Sequence, residues 1–246
     1  VIFMTENGPQ QNRYVAGMKA LKGSVYNGAV RVPFFLKVPA FKSKEVDVIT
    51  AHIDVLPTLA ALCHASLPAD RQIDGKNLLP LMQGKQVEWQ NRPLFFYWTR
   101  RYPERYRNMA LLRGKYKLVG QTGYRAEIED LELYDLNVDP LERSNVVNSN
   151  GSLGNELKSE MDRIYTELIS SPNLLNPPLT EVGSEHENPV ILNRNDADGE
   201  SGIWQQEEIF GKWNVHVREG YYHVRFRFIK QVKSGGRMYM ETGPIV

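Results

Sequence analysis

The chain has 246 residues, of which 41% are hydrophobic and 24% are charged, with a formal net charge of +1. This is the composition of an ordinary globular protein, and it excludes a collagen, a coiled coil and a wholly disordered chain. No apolar run approaches the roughly 18 residues of a membrane span, so we expect none. The single cysteine, Cys63, excludes an internal disulfide framework.

The charge is distributed unevenly. Residues 1–125 contain 19 Lys and Arg against 8 Asp and Glu, whereas residues 126–180 contain 3 against 11. A basic first half favours an anionic partner, although basic residues scattered over a solvated surface are an equal alternative. No nucleic-acid-binding motif accompanies the charge, so we expect no nucleic-acid partner. A small anionic substrate fits the charge as well.

The first stretch, residues 1–90, has the pattern of an α/β domain and opens on sequence typical of the middle of a protein. The pattern predicts a strand over residues 1–4, a second strand over residues 32–38, and a helix that begins near Leu56 with Asp54 as its N-cap. The polar turn Thr5–Gly8 follows the first strand directly. Because ligands gather at the carboxyl ends of strands in α/β sheets, this turn is a candidate site.

The second stretch, residues 91–180, predicts a smaller α+β subdomain with an antiparallel sheet and a packed helix. Apolar runs on both sides of Arg113-Gly114 predict a hairpin. Further strands are predicted over residues 94–98 and 132–136. Apolar residues at three- and four-residue spacing predict a helix over Leu153–Ile169.

The third stretch, residues 188–246, predicts an all-β, sandwich-like region that follows a linker rich in Pro, Asn, Ser and Glu. Apolar and polar residues alternate on both sides of Glu219-Gly220, and this pattern predicts a hairpin. The expected cross-strand pairs are Val217 with Tyr222, Val215 with Val224, and Trp213 with Phe226. The run continues to Phe228, and Gly235-Gly236 predicts another turn.

Two short polar segments carry candidate chemistry. Glu6 and Asn7 place a carboxylate beside an amide, and hard cations such as calcium and magnesium take oxygen ligands of this kind. Two such ligands are too few for a complete site, and an ordinary turn is the alternative. Lys22, which precedes Gly23, could direct its ammonium group at an oxyanion, with a solvated surface lysine as the alternative.

The order of several motifs resembles the carboxyl-terminal half of an arylsulfatase-type sulfatase in the alkaline phosphatase superfamily. The motifs are IFMTENG, LKGSVYNGAVRVPFFLKVP, HIDVLPTLAAL, IDGKNLLPLMQG, RGKYKLV and ELYDLNVDPLERSNV. The resemblance implies that Glu6 and Asn7 bind calcium, at positions where the family usually has Asp-Asn. It implies that Lys22 binds sulfate and takes part in catalysis. The family turn Tyr-Glu-Gly-Gly reads Tyr26-Asn27-Gly28-Ala29 here.

The nucleophile of the family is missing from this sequence. Sulfatases use a formylglycine made from Cys or Ser in a Cys/Ser-x-Pro/Ala-x-Arg segment, which lies upstream of the part that matches. Neither Cys63 nor Ser66 is followed by that pattern, and the position of Cys63 after an apolar helix favours core packing. No histidine is assigned a catalytic role. We therefore expect the chain to be inactive by itself.

Three functions remain open from the sequence. The first is part of a sulfuric ester hydrolase that acts on sulfate esters, including sulfated carbohydrates, in the periplasm or outside the cell as the resemblance implies. The second is a carbohydrate-binding or accessory module that presents Trp204, Trp213, Tyr221 and Tyr222 to sugars. The third is another metal-dependent phosphoesterase of the same superfamily. The sequence does not indicate an oligomeric state.

Overall fold

The computed structural model describes residues 1–85, 87, 89, 92–99, 102–176, 179–193, 197 and 213–227. The chain divides into two compact units, Val1–Asn176 and Pro177–Val246. The first unit contains both stretches that the sequence analysis separates near residue 90, and the three-part division stays a prediction. No helix in the described part of the chain is long and apolar enough to cross a membrane.

A two-stranded antiparallel sheet opens the first unit. Its strands are β1, Ile2–Met4, and β2, Phe34–Leu36. Strand β2 is shorter than the predicted 32–38. It begins only at Phe34, because the proline before it has no amide to donate to a ladder. Phe3 lies opposite Phe35, and these side chains are 59% and 65% exposed. One face of this sheet is therefore largely uncovered.

The helices of the first 90 residues are short. They are α1 (Asn27–Val30), α2 (Val55–Leu62) and α3 (Leu79–Met82), with a 3₁₀ turn, His52–Asp54, before α2. The late start of α2 is confirmed. The fully buried Asp54 carboxylate accepts the amides of Ala51 and Lys76 rather than capping the helix. The predicted core packing of Cys63 is wrong, since it lies exposed where α2 ends.

A four-stranded antiparallel meander forms the centre of the first unit. Its strands, in spatial order, are β3 (Leu94–Tyr97), β4 (Arg107–Arg113), β5 (Tyr116–Gln121) and β6 (Glu132–Asp135). The predicted hairpin is confirmed as β4 and β5. Gly114 at its turn has a φ of +58°, a conformation that glycine adopts without strain.

The meander packs on both faces. Helix α4, Gly151–Ile169, places Leu157 and Met161 on one face of the sheet, against Leu111, Leu118 and Leu133. The opposite face, with Ala110, Val119 and Tyr134, is covered by Val25 and Tyr26. The loop that carries Lys22, residues 19–26, thus ends in two residues that are buried against the sheet. The mixture of helices and antiparallel sheets agrees with the predicted α/β and α+β architecture. A short helix, α5 (Pro172–Leu175), ends the unit.

The second unit differs from the predicted all-β hairpin. Strand β8, Val215–Val217, pairs in parallel with β7, Thr180–Val182, and residues 221–227 form no strand. The predicted hairpin is therefore wrong, because alternation identifies an extended segment without identifying its partner. The Tyr222 hydroxyl donates to the Arg218 carbonyl instead. Trp204, Phe228 and Gly235-Gly236 lie outside the described residues.

Candidate active site

The polar turn that follows β1 lies against the loop that carries Lys22. The Gly8 amide donates to the Ala29 carbonyl at 2.7 Å, and the Lys22 amide donates to the Pro9 carbonyl at 3.0 Å. A Cβ on Gly8 would lie only 1.9 Å from the Gly28 carbonyl oxygen. The absence of a side chain at Gly8 therefore permits the close approach of two backbones, and this approach assembles the site.

Glu6, Asn7 and Lys22 meet at one point. Lys22 Nζ lies 3.0 Å from Glu6 Oε1, and Asn7 Nδ2 donates to the same oxygen at 2.5 Å. The hydrogen bonds from Lys22 and then Asn7 hold the pKa of the Glu6 carboxyl below its ordinary value. The fold thus brings all three sequence-predicted site residues together, with the carboxylate in its charged form.

A groove of about 530 Å³ opens beside this cluster. Lys22 lines it together with residues 95–98, at the end of β3. The Trp98 ring covers Gly23, where an added Cβ would lie 3.7 Å from the ring. Gly23 has a φ of +89°, which side-chain-bearing residues rarely adopt. The backbone next to Lys22 therefore depends on glycine for its conformation.

His52 also lines the groove, although no role was predicted for it from the sequence. Its Nε2 lies 2.8 Å from the Thr5 carbonyl oxygen. Because a carbonyl can only accept a hydrogen bond, Nε2 carries the hydrogen in this contact. The sequence offered no local signal for this placement, since His52 and Thr5 are 47 residues apart.

The oxygen ligands of this cluster fit only part of a metal site. Glu6 and Asn7 offer a carboxylate and an amide oxygen, which suit a hard cation such as calcium. Calcium takes roughly six to eight oxygen ligands, so two residues cannot complete its shell. Among the described residues, no group of three His, Cys, Asp or Glu side chains is placed to hold a metal. The remaining ligands would have to come from outside this part of the chain.

A partly buried cluster anchors the beginning of the loop that carries Lys22. Lys19 Nζ lies 3.0 Å from Glu132 Oε2 on β6, and the hydroxyls of Tyr26 and Tyr134 donate to the same oxygen at 2.7 and 2.6 Å. Lys19 also lies 4.0 Å from the centre of the Tyr26 ring. Burial would raise the pKa of Glu132, but these hydrogen bonds outweigh it and lower that pKa.

A second cluster anchors the loop where it enters α1. The Asn27 amide donates to Glu142 Oε2 at 2.6 Å, and its side-chain nitrogen donates to the Pro140 carbonyl at 3.0 Å. Lys117 Nζ donates to Asn27 Oδ1 at 3.0 Å and to Glu142 Oε1 at 2.7 Å. Each polar atom of the Asn27 side chain thus has a partner in the α+β subdomain.

Comparison with known proteins identifies sulfatase relatives. Residues 21–168 match the family described as N-sulphoglucosamine sulphohydrolase, C-terminal. Human arylsulfatase A is 37% identical over 124 residues, which are 48% of this chain and 24% of that protein. Human steryl-sulfatase is 38% identical over 81 residues, which are 32% of this chain and 14% of the relative. The chain thus spans a quarter or less of these relatives.

Solved structures show the same fold. The structure described as Ps i-CgsB matches with a TM-score of 0.55 and 24% identity, over 67% of this chain and 36% of the other. A structure described under the metabolism of glycosaminoglycans by Bacteroides thetaiotaomicron matches with a TM-score of 0.54 and 22% identity. The match covers 68% of this chain and 38% of the other. The family match covers more than half of the chain and includes Lys22 and the second anchoring cluster, of Asn27, Lys117 and Glu142. The chain therefore belongs to the sulfatases, as a carboxyl-terminal region of the N-sulphoglucosamine sulphohydrolase type.

Proposed function

We propose that this chain forms one side of the active site of a sulfatase that hydrolyses sulfate esters. The observation that carries the proposal is the convergence of Lys22, Glu6 and Asn7 beside one groove. A sulfate monoester is an anion, and a lysine ammonium makes strong charge-assisted hydrogen bonds to anionic oxygens. The excess of basic residues in positions 1–125 favours the approach of the same substrate.

In this proposal Lys22 binds the sulfuryl oxygens. Its side chain is 42% exposed and pairs with a Glu6 side chain that is 79% exposed. An ion pair this open to water adds little stability, so exchanging Glu6 for a sulfate oxygen costs little. Charge accumulates on the sulfuryl oxygens during transfer, and a fixed ammonium stabilises that charge more in the transition state than in the ground state.

Glu6 and Asn7 are proposed as part of a calcium site, as the family resemblance implies. A bound calcium ion would supply positive charge next to the sulfate group. Glu6 would contribute a carboxylate that stays ionised in mildly acidic solution, because its pKa is lowered. The formylglycine nucleophile is expected upstream of these residues, so the chain alone should not turn over substrate.

A sulfated carbohydrate is the proposed substrate class. The relatives include an N-acetylgalactosamine-6-O-sulfatase of Bacteroides thetaiotaomicron, 27% identical over 159 residues. Another solved structure of Ps i-CgsB, with a TM-score of 0.52, is a complex with k-i-k-neocarrahexaose. These names support a carbohydrate substrate for this chain. We also propose a periplasmic or extracellular location, since the resemblance implies one.

The test compares two lysine variants in the full-length sulfatase that contains this chain. Lys22→Ala should lower kcat for a chromogenic sulfate ester by about 10²–10³, the usual cost of losing one donor to a developing oxyanion. Its melting temperature should stay close to that of the unsubstituted enzyme. Lys37→Ala removes an exposed lysine next to β2 and should leave both quantities nearly unchanged. Equal turnover by the two variants would remove Lys22 from the active site.

A further inference from the structure

A β-bulge interrupts strand β4 close to the Lys22 loop. The pairing of β4 with β5 passes from Arg107 opposite Gln121 to Met109 opposite Gly120, which leaves Asn108 without a partner position. Asn108 has a φ of +52°, a left-handed conformation that asparagine tolerates better than most residues. Bulges re-aim side chains and are common beside active sites. The direction of the Asn108 side chain therefore follows from the bulge.

The Asn108 amide group connects two parts of the groove. Its Nδ2 donates to the Gly23 carbonyl at 2.8 Å and to the Trp98 carbonyl at 3.1 Å. Its Oδ1 accepts a hydrogen bond from Gln121 Nε2 at 3.0 Å, so the oxygen faces a donor while the nitrogen faces two acceptors. Asn108 thus ties the residue after Lys22 to the end of β3.

Lys22 is consequently held by its backbone on both sides. Its own amide donates to Pro9, and the carbonyl of the next residue, Gly23, accepts from Asn108. The lysine ammonium stands at the end of a stem of fixed length with a few staggered rotamers, so the position of the Cα decides which points the ammonium reaches without a change of rotamer. A small displacement of this backbone would therefore move the ammonium relative to a bound sulfate.

We propose that Asn108 is a positioning residue for Lys22, which it places by fixing the Gly23 carbonyl. The proposal rests on the function proposed above for Lys22. Asn108 does not line the groove, so its influence on the reaction passes through Lys22 and its neighbours. Asn108→Asp keeps the size of the side chain, turns two donated hydrogen bonds into contacts between oxygens and adds a negative charge, whereas Asn108→Ala removes the hydrogen bonds without adding a charge.

The experiment measures turnover and hydrogen exchange for Asn108→Ala and Asn108→Asp in the full-length sulfatase. Both variants should lower kcat by about 10- to 100-fold, as expected for a misplaced catalytic group, while KM changes much less. Hydrogen exchange should become faster in residues 19–30 and stay unchanged in α4. The matched control is Asn155→Ala, which removes a comparable hydrogen bond from Asn155 Nδ2 to the Gly151 carbonyl at 2.9 Å on an exposed helix face. It should leave turnover and exchange in residues 19–30 as they are.

Two results would overturn the positioning role. One is an Asn108→Asp variant with unchanged kcat and unchanged exchange in residues 19–30. The other is an equal rise of exchange in residues 19–30 and in α4 together with a large fall in melting temperature, since that pattern means a general loss of stability. If the unsubstituted enzyme hydrolyses no sulfate ester, the proposed function fails instead. Exchange in residues 19–30 then decides by itself whether Asn108 fixes this segment.

Discussion

Lys117 and Glu142 form an ion pair whose side chains are both completely buried, with Nζ 2.7 Å from Oε1. Burial lowers the pKa of Lys117, and the charge of Glu142 opposes that shift. The pair is also the attachment point for Asn27, which contacts both partners. A single buried charge pair therefore holds the end of the Lys22 loop against the sheet.

Replacing Lys117 should be far more damaging than replacing its neighbour Lys115. Lys117→Met leaves the Glu142 carboxylate buried without its counter-ion, and we expect a loss of about 3–5 kcal/mol in the free energy of unfolding. Lys115 Nζ also lies 2.7 Å from a carboxylate, that of Asp135, but its side chain is 42% exposed. Lys115→Met should therefore change stability little. Denaturant unfolding checks both, and similar losses would show that burial of the pair is unimportant.

The Glu6 carboxyl should titrate below the ordinary range for glutamate. The hydrogen bond from Lys22 is the largest cause, so Lys22→Ala should move the pKa of Glu6 upward. An NMR titration that follows the side-chain carboxyl carbon of Glu6 measures both values. A midpoint that is the same with and without Lys22 would show that the two side chains do not interact in solution.

Tyr26 and Tyr134 should ionise well above the ordinary value of 10.0. Burial is the largest cause of both raised pKa values, and the hydrogen bond to Glu132 adds to it. Because the folded state favours the protonated phenols, their contribution to stability is complete below pH 10.0 and is lost as the pH rises towards their folded values. Phenolate absorbance of the folded protein should show these two groups titrating late. A spectrum in which every tyrosine ionises at its ordinary value would contradict the buried cluster.

Gly28 should tolerate no side chain. A Cβ there would lie 2.2 Å from the Ala20 carbonyl oxygen and 2.5 Å from that of Lys19. Gly28→Ala should therefore push the loop away from α1 and cost about 1–3 kcal/mol, as overpacking usually does. Gly123→Ala is the control, because nothing lies within 4 Å of a Cβ at Gly123. Thermal unfolding compares the two variants, and equal melting temperatures would rule out the collision.

The elements that were predicted correctly carry their whole sequence pattern within their own residues. Helix α4 shows its apolar period within its own residues, and the β4–β5 hairpin has its turn glycine between two apolar runs. The pairing of β8 was not predictable in this way. Its alternation of apolar and polar residues is compatible with any neighbouring strand. The actual partner is β7, in which Glu181 lies opposite His216 although the two are 35 residues apart in the chain.

The candidate site was only partly predictable for a related reason. Glu6, Asn7 and Lys22 were found through a motif, and the fold placed them together. Asn108 lies in none of the motifs, and His52 lies in one that gives it no role, because the importance of both depends on contacts with residues 85 and 47 positions away. A bulge has no signature that a single sequence can show when its neighbours form an ordinary strand.

The anchoring of the Lys22 loop has a consequence for the order of folding. Its contacts with Asn108, Glu132 and Glu142 close chain loops of 85, 113 and 115 residues. Such contacts pay a larger entropy of loop closure than the adjacent strands of the meander do. During synthesis the loop leaves the ribosome before any of its anchors exists. We therefore expect the groove to be the last part of this unit to assemble, on a meander that has already formed.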